Sequence, residues 1–244
     1  TKKRGNPIQI QRKIVYLHGI KLPQEPKQKY PYMENLERLI AKKLLKISAV
    51  KLQPANAFTW ASGWKSPIYC DNRKTLSFPA IRNLIKVELS RIVLENFEEA
   101  DAIAGVATGA IAQGAMVAEE LGLPFVYVRS APKDHGLENL IEGNLRPGQR
   151  VVVIEDLIST GGSSLKAVEA IRKNGCEVIG MAAIFTYGFP IAVEKFKEAN
   201  VKLITLSNYN AVLTEALSTH YITDSDMATL QEWSKDPASW NPPK

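Results

Sequence analysis

The chain has 244 residues, of which 45% are apolar and 23% are charged, a composition typical of a globular protein. It excludes disordered and collagen-like proteins, and two cysteines are too few for a disulfide framework. The formal net charge of +6 would suit an anionic partner such as nucleic acid. Residues 1–32, however, hold eight basic residues and one acidic residue, whereas residues 33–244 hold 23 basic and 24 acidic residues. Because the body of the chain is slightly acidic, we expect no nucleic-acid partner.

The first 32 residues differ in composition from everything that follows. Prolines interrupt them at positions 23, 26 and 31, and their apolar runs are far shorter than the roughly 20 residues that cross a membrane. We interpret residues 1–32 as a flexible basic leader or tag-like extension, and we expect no membrane partner. Residues 33–244 then form one domain. Its parts are an N-terminal part at 33–100, a core sheet at 101–210 and a C-terminal segment at 211–244.

The first predicted element of this domain is a helix that begins at Met33. Apolar residues recur from there at helical spacing, namely Leu36, Leu39, Ile40, Leu44 and Leu45. The two cysteines, Cys70 and Cys176, have no metal-ligand spacing, and we interpret both as small buried apolar side chains. So few cysteines also indicate a reducing compartment, and we expect a cytoplasmic location.

Between residues 100 and 210, short β-branched runs alternate with helical stretches. The predicted strands are 101–106, 124–129, 150–155, 177–186 and 201–206. The predicted helices are 110–122, 163–174 and 190–199. Each strand is continuously apolar, as in strands buried on both faces of a parallel sheet, so we predict an α/β fold with an open parallel sheet flanked by helices. Ligands bind at the carboxyl ends of such strands, which directs attention to the loops after 106, 129 and 155.

The segment 151–171, VVVIEDLISTGGSSLKAVEAI, is the richest in chemical signal. Its strand is predicted to end in Glu155 and Asp156, and a Ser-Thr-Gly-Gly-Ser loop leads into a helix. Hydroxyl groups and backbone N–H groups at a helix N-terminus form a cradle for a monophosphate. Two carboxylates beside it suit the vicinal hydroxyls of a ribose, with Mg²⁺ as a cofactor near Asp156. Without the paired acids, the loop would equally suit a plain capped helix.

This segment resembles the 5-phosphoribosyl-1-pyrophosphate (PRPP) motif of type I phosphoribosyltransferases. Two further stretches resemble orotate phosphoribosyltransferases, and we expect a bacterial-type member. The first, FTWASGWKSPIYCDNR at 58–73, corresponds to the part of that family that forms a hood over the base, and we call these residues the hood. The second, VRSAPKDHGLENLIEG at 128–143, corresponds to the mobile catalytic loop, and we call its residues 130–143 the lid.

The resemblance implies a type I phosphoribosyltransferase fold with a small N-terminal hood. It also implies a reaction in which N1 of orotate displaces pyrophosphate from PRPP, with Mg²⁺, to give orotidine 5′-monophosphate in pyrimidine (UMP) biosynthesis. It further implies a homodimer in which the lid completes the partner's site.

The site residues follow from the same resemblance. The catalytic residues are Arg129, Lys133 and His135, whose positive groups stabilise a departing pyrophosphate, together with the acidic residue Asp156. The PRPP-binding residues are Thr108, Gly109, Arg129, Lys133, His135, Glu155, Asp156, Leu157, Ile158, Ser159, Thr160, Gly161, Gly162 and Ser163. The orotate-binding candidates are Ser159, Lys65 and Arg73.

The chain departs from the family pattern at three lysine positions, which are occupied here by Ala61, Gly109 and Ser130. An arginine that could contact the orotate carboxylate after the fourth strand is also missing, and FTYGF at 185–189 occupies that region. The contacts to the base therefore remain open. Tyr187 could form an apolar wall for the base, and it could equally pack in the core or a dimer interface, as could Trp60 and Trp64.

Two other functions compete with this interpretation. One is a sibling phosphoribosyltransferase for a purine base, against which the hood motif argues. The other is a PRPP-sensing regulator that binds nucleic acid and has lost catalysis. The 32-residue leader is too short for a winged-helix domain, and the Lys133-Asp134-His135-Gly136 run in the lid favours chemistry.

Overall fold

The structure is a computed structural model that describes residues 31–60, 63–131 and 140–242. Its N-terminal part is a helix followed by short strands. Its elements are α1 (Pro31–Lys46), β1 (Val50–Leu52), β2 (Phe58–Thr59), β3 (Lys65–Ser66), β4 (Ile68–Cys70), a 3₁₀ helix (Asn72–Ser77) and α2 (Pro79–Asn96). The helix expected from Met33 is confirmed and begins two residues earlier. Leu36, Ile40 and Leu44 are buried, as their spacing predicts, whereas Leu39 is exposed.

The core consists of strands and helices in alternation. Its strands are β5 (Ala102–Val106), β6 (Phe125–Val128), β7 (Ile141–Glu142), β8 (Arg150–Ile158), β9 (Glu177–Thr186) and β10 (Leu203–Asn208). Its helices are α3 (Ile111–Leu121), α4 (Gly162–Lys173), α5 (Pro190–Glu198), α6 (Tyr209–Ser218) and α7 (Asp224–Lys235). None of the helices in the described ranges is long and apolar enough to span a membrane.

A six-stranded sheet runs in the order β10-β9-β8-β5-β6-β7. Its strands are parallel except β7, which runs antiparallel to β6 at the edge. A hydrophobic core lies on each face of the sheet, and alternate residues of β8 pack into one or the other. Val152 and Ile154 pack on one face, and Val151 and Val153 pack on the other. Burial on both faces explains the continuous apolar runs, and the predicted α/β fold with an open parallel sheet is confirmed.

Three predicted boundaries are wrong. Strand β8 continues past the paired acids to Ile158, because Leu157 and Ile158 pair with the last residues of β9. Strand β10 begins at Leu203 rather than 201, since Asn200 has a positive φ of 50° and forms a turn. The end of the lid also belongs to the sheet, because β7 pairs with β6 and its Ile141 is buried.

Candidate active site

A cavity of 410 Å³, which we call the main cavity, opens at the carboxyl ends of β5 and β8. This is the edge of the sheet at which the sequence predicts ligand binding. Residues from the hood, the loop after β5 and the end of β8 line it: Cys70, Asp71, Arg73, Val106, Ala107, Thr108, Gly109, Glu155, Asp156, Leu157, Ser159 and Ser163. Three segments that are distant in sequence therefore meet at one site.

The two adjacent acids of β8 have different environments. Glu155 is 3% exposed, and its carboxylate accepts a hydrogen bond from the Asp156 backbone N–H at 2.9 Å and another from Ser164 Oγ at 2.8 Å. The Asp156 side chain is only partly buried and lines the main cavity. Glu155 therefore supports the loop from within, whereas Asp156 is the carboxylate that a ligand can reach.

Burial raises the pKa of both acids, because it disfavours the charged form. For Glu155 the pKa lies well above its ordinary value, and repulsion from Asp156 adds to the effect of burial. The charge of Arg73 opposes the rise in the pKa of Asp156. The pair therefore has a higher proton affinity than two separate surface carboxyls.

The predicted phosphate cradle, residues 159–163, leads into helix α4, which begins at Gly162. Gly161 precedes the helix with a φ of +76°, and a Cβ atom there would lie 2.9 Å from Cε2 of Phe196, so a glycine is required. The first backbone N–H groups of a helix have no partner within the helix. Together with Ser159 and Ser163, which line the main cavity, they make this helix end suitable for an anion.

The loop after β5 approaches the cradle closely. The Ala107–Thr108 peptide bond is cis, and Thr108 is exposed at the cavity rim. A Cβ atom added to Gly109 would collide with the carboxyl group of Asp156. Gly109 is predicted to bind PRPP, and in the structure its lack of a side chain allows the Asp156 carboxyl to lie against the loop.

A second cavity of 520 Å³, which we call the side cavity, adjoins the main cavity and shares Val106, Ala107 and Ser163 with it. Arg129 and Lys166 are among its lining residues. The Arg129 Nη1 atom lies 3.6 Å from Glu142 Oε1 and makes no hydrogen bond to any residue in the described ranges. This Nη1 atom is buried, whereas the Arg129 side chain as a whole is 30% exposed and lines the side cavity.

Residues 132–139 of the predicted lid lie outside the described residues, and among them are Lys133, Asp134, His135 and Gly136. Ala61, at a position where many family members have a lysine, also lies outside them. The predicted roles of Lys133 and His135 therefore stay predictions.

The structure brings two of the three orotate candidates to the main cavity. Arg73 lines it and forms an ion pair with Asp71 at 2.7 Å, and Ser159 also lines it. Lys65 does not line it, since its Nζ atom donates a hydrogen bond to Thr59 Oγ1 at 2.8 Å on the exposed β2–β3 hairpin. The structure therefore does not bring the Lys65 side chain to the main cavity.

An aromatic cluster lies beneath the hood. Tyr187 is 5% exposed, and its ring centroid lies 5.1 Å from Trp60 and 5.8 Å from Trp233. The indole N–H of Trp233 donates to the Lys65 carbonyl oxygen at 3.2 Å, which joins helix α7 to the hood. Of the three roles predicted for Tyr187, namely a wall for the base, core packing and a dimer contact, the structure shows core packing. Cys176 is buried as expected, whereas Cys70 is only half-buried on the cavity wall.

Sequence reasoning missed Asp71 and Asn72 as parts of the site. Asp71 lines the main cavity, and the pKa of its carboxyl is lowered chiefly by the hydrogen bond from Arg73. Asn72 lies behind the cavity and contacts Asp156. Both belong to the Cys-Asp-Asn-Arg run of the hood motif, and this run of polar residues next to a strand was the available signal.

Comparison with known proteins agrees with this geometry. Residues 77–218 match the phosphoribosyl transferase domain family. Orotate phosphoribosyltransferases from Phocaeicola vulgatus and Bacteroides thetaiotaomicron are 74% and 72% identical to the chain, over 85% and 86% of it and 98% and 99% of their own lengths.

Solved structures show the same relationship. The crystal structure of orotate phosphoribosyltransferase from Aeropyrum pernix superposes with a TM-score of 0.66 at 30% identity, over 75% of this chain and 99% of that one. The structure of UMP synthase from Leishmania donovani superposes with a TM-score of 0.70 at 26% identity. That match covers 83% of this chain and 43% of the other. The chain belongs to the orotate phosphoribosyltransferase family.

Proposed function

We propose that the main cavity binds PRPP and orotate and that the chain joins them to form orotidine 5′-monophosphate and pyrophosphate. The observation that carries the proposal is the meeting of three groups in one cavity. These are the reachable carboxylate of Asp156, the helix end at Ser159–Ser163 and the Thr108–Gly109 loop. A sugar phosphate that carries a second phosphate group needs these three groups close together.

The ribose of PRPP is placed on the end of β8. Asp156 accepts hydrogen bonds from the ribose hydroxyls, and Glu155 fixes the backbone of Asp156 from below. The 5′-phosphate lies at the N-terminus of α4, where backbone N–H groups and the Ser163 hydroxyl bind it. In this proposal, all residues predicted to bind PRPP between 155 and 163 act either as ligands or as the backbone that shapes the cradle.

The pyrophosphate of PRPP points toward the loop after β5 and the side cavity. As the bond from the sugar carbon to pyrophosphate breaks, N1 of orotate bonds to that carbon and its proton is released to the pyrophosphate, while negative charge builds on the leaving oxygen. Arg129 supports that charge from the sheet edge, and Lys133 and His135 are proposed to add donors from the lid. An enclosed site also keeps water from the activated ribose.

The residues present fit a Mg²⁺ ion that is bound mainly through PRPP. In the part of the chain that the structure describes, no cluster of three His, Cys, Asp or Glu residues could hold a metal. The main cavity does contain the oxygens of Asp156 and Asp71. Mg²⁺ commonly binds through one or two carboxylates together with substrate phosphates and water. Bound in this way, it would neutralise the pyrophosphate charge near Asp156.

The base is proposed to lie under the hood, between Ser159 and Arg73. A guanidinium group and a hydroxyl suit the carboxylate and the ring oxygens of orotate. Lys65 stays a prediction as a third contact, since its Nζ atom contacts Thr59. We also propose that the chain acts as a cytoplasmic homodimer in which the lid of one subunit completes the site of its partner.

The decisive test measures the loss of orotate absorbance in the presence of PRPP and Mg²⁺, with adenine, guanine and hypoxanthine as competing bases. We expect turnover with orotate alone and release of one pyrophosphate per orotate consumed. Turnover of a purine instead would favour the sibling enzyme. Binding of PRPP without release of pyrophosphate would favour the regulator.

A further inference from the structure

Asn72, the first residue of the 3₁₀ helix after the hood strand β4, is a buried polar residue to which the reaction assigns no role. It is 2% exposed, and its Nδ2 atom donates a hydrogen bond to the backbone carbonyl oxygen of Asp156 at 2.6 Å. A buried amide with so short a bond to the backbone of a proposed ligand residue is well placed to determine where that residue lies.

The backbone of Asp156 needs such support because β5, its sheet neighbour on one side, has ended, while β9 continues on the other side. Pairing of β5 with β8 stops at Gly105 and Ile154, two residues earlier. Beyond that point, side chains hold both polar groups of the Asp156 backbone. Its N–H donates to Glu155 Oε1 and its carbonyl accepts from Asn72 Nδ2. The position of the Asp156 carboxyl therefore depends on two side-chain hydrogen bonds.

Asn72 is itself fixed by its neighbours. The thiol of Cys70 donates to Asn72 Oδ1 at 3.5 Å, and this bond orients the amide so that Nδ2 faces Asp156. Thr75 Oγ1 donates to the Asn72 carbonyl oxygen at 2.6 Å, and Gln113 on helix α3 donates to Thr75 Oγ1 at 3.5 Å. The amide is thus preorganised, and a rigid donor loses little entropy when its bond to Asp156 forms.

We propose that Asn72 is a positioning residue that holds Asp156 at the ribose of PRPP and so links the hood to the sugar-binding strand. The inference rests on the proposed function, since it takes PRPP to be the ligand of Asp156. Asn72 itself does not line the main cavity, and it acts only through the backbone of Asp156.

The experiment compares N72A and N72D with the wild-type chain by calorimetric titration of PRPP, and it records the melting temperature of each protein. N72A removes the donor, and N72D keeps the side-chain volume but places an acceptor oxygen opposite the Asp156 carbonyl. We expect about a tenfold weaker affinity for PRPP in N72A, the ratio that corresponds to one buried hydrogen bond, and at least as large a loss in N72D.

Asn174 provides a matched control. Its amide also donates to a distant backbone carbonyl, that of Leu145, and also contacts a cysteine sulfur two residues away, but it lies at the C-terminal end of helix α4. N174A should lower the melting temperature and leave PRPP affinity unchanged.

Wild-type affinity in N72A, or recovery of affinity in N72D, would overturn the positioning role. An equal loss of affinity in N174A would do the same, because it would show a general effect of stability. If the wild-type chain binds PRPP without consuming orotate, the proposed reaction fails, while the role of Asn72 is still decided because the titration requires no turnover.

Discussion

The cradle and the hood meet at the main cavity, but they are held in place by different means. The cradle follows directly from β8, in the middle of the sheet, and its residues are adjacent in sequence. The hood consists of two-residue and three-residue strands, and it depends on distant contacts for its position. One of these is the bond from Trp233 to the Lys65 carbonyl, across 168 positions of the chain.

From this difference we infer that the cradle and the hood bind different parts of the substrates. A sugar phosphate has the same shape in every reaction of its class, and a rigid sheet edge suits it. A base differs from one enzyme to another, and a small covering segment can be adapted to it without disturbing the sheet. We therefore expect changes in the cradle to affect PRPP and changes beneath the hood to affect orotate.

The largest expected effect is the loss of the indole beneath the hood. Trp233→Ala removes a side chain that is 0% exposed and packs against Trp60 and Tyr187, so the free energy of unfolding should fall by about 3–5 kcal/mol. In the folded fraction, the KM for orotate should rise more than the KM for PRPP. Chemical denaturation and steady-state kinetics measure the two effects.

Trp240 is the control for this prediction, because it is also buried in the core and, among the residues that the structure describes, makes no hydrogen bond to the hood. Trp240→Ala should destabilise the chain without selective loss of orotate. An equal rise of both KM values in the Trp233 variant would show that helix α7 does not position the hood.

The second largest effect should follow from replacing Asp156, the carboxylate that a ligand can reach in the main cavity. Asp156→Ala removes a charged acceptor for two ribose hydroxyls, and the kcat/KM for PRPP should fall by about 100-fold, which corresponds to about 3 kcal/mol. Asp101→Ala is the control, since Asp101 pairs with Arg150 at the other end of the sheet. Unchanged PRPP kinetics in the Asp156 variant would show that Asp156 does not contact the ribose.

Replacement of Glu155 by glutamine should change the pH dependence of stability, and a glutamine keeps the hydrogen bond to the Asp156 backbone. The pKa of Glu155 is raised by burial, so its proton is bound more tightly in the folded chain than in the unfolded one. Its contribution to stability is complete below the ordinary value near 4.5 and is lost as the pH rises toward the folded pKa. A glutamine at this position has no proton to lose, so Glu155→Gln removes this loss of stability at higher pH. Its amide can still form hydrogen bonds with the Asp156 N–H and with Ser164.

The stability of Glu155→Gln relative to wild type should therefore increase from acidic to neutral pH. Melting temperatures across this range test the expectation, with the exposed Glu177→Gln as the control. A difference that stays constant, or that shrinks as the pH rises, would show that Glu155 is not the buried acid described here.

The smallest expected effect is a difference in the KM for orotate between variants of two basic residues of the hood, Arg73 and Lys65. Arg73 lines the main cavity, whereas the Lys65 side chain bonds Thr59 on the exposed hairpin. Arg73→Ala should raise the KM for orotate by about fivefold or more, and Lys65→Ala by no more than about twofold, since an exposed bond contributes little. The reverse order would restore Lys65 as the orotate contact that the sequence suggested.

The success of sequence reasoning differed between the two regions for physical reasons. The strand, the acids and the glycine loop of the cradle are neighbours in the chain, so their juxtaposition is visible in the sequence. The bond between Asn72 and Asp156 joins residues 84 positions apart, and no local pattern indicates it. The direction of the Lys65 side chain depends on the pairing of two very short strands, and the sequence of helix α7 does not reveal that Trp233 packs beneath the hood.

The division between cradle and hood is tested most directly by measuring the KM values of both substrates in two conservative variants, Asp156→Asn and Trp233→Phe, under the same conditions. Asp156→Asn removes the charge at the ribose, and Trp233→Phe removes the N–H that bonds the Lys65 carbonyl. We predict a crossed result, in which the first variant raises mainly the KM for PRPP and the second mainly the KM for orotate. A parallel rise of both KM values in both variants would contradict the division.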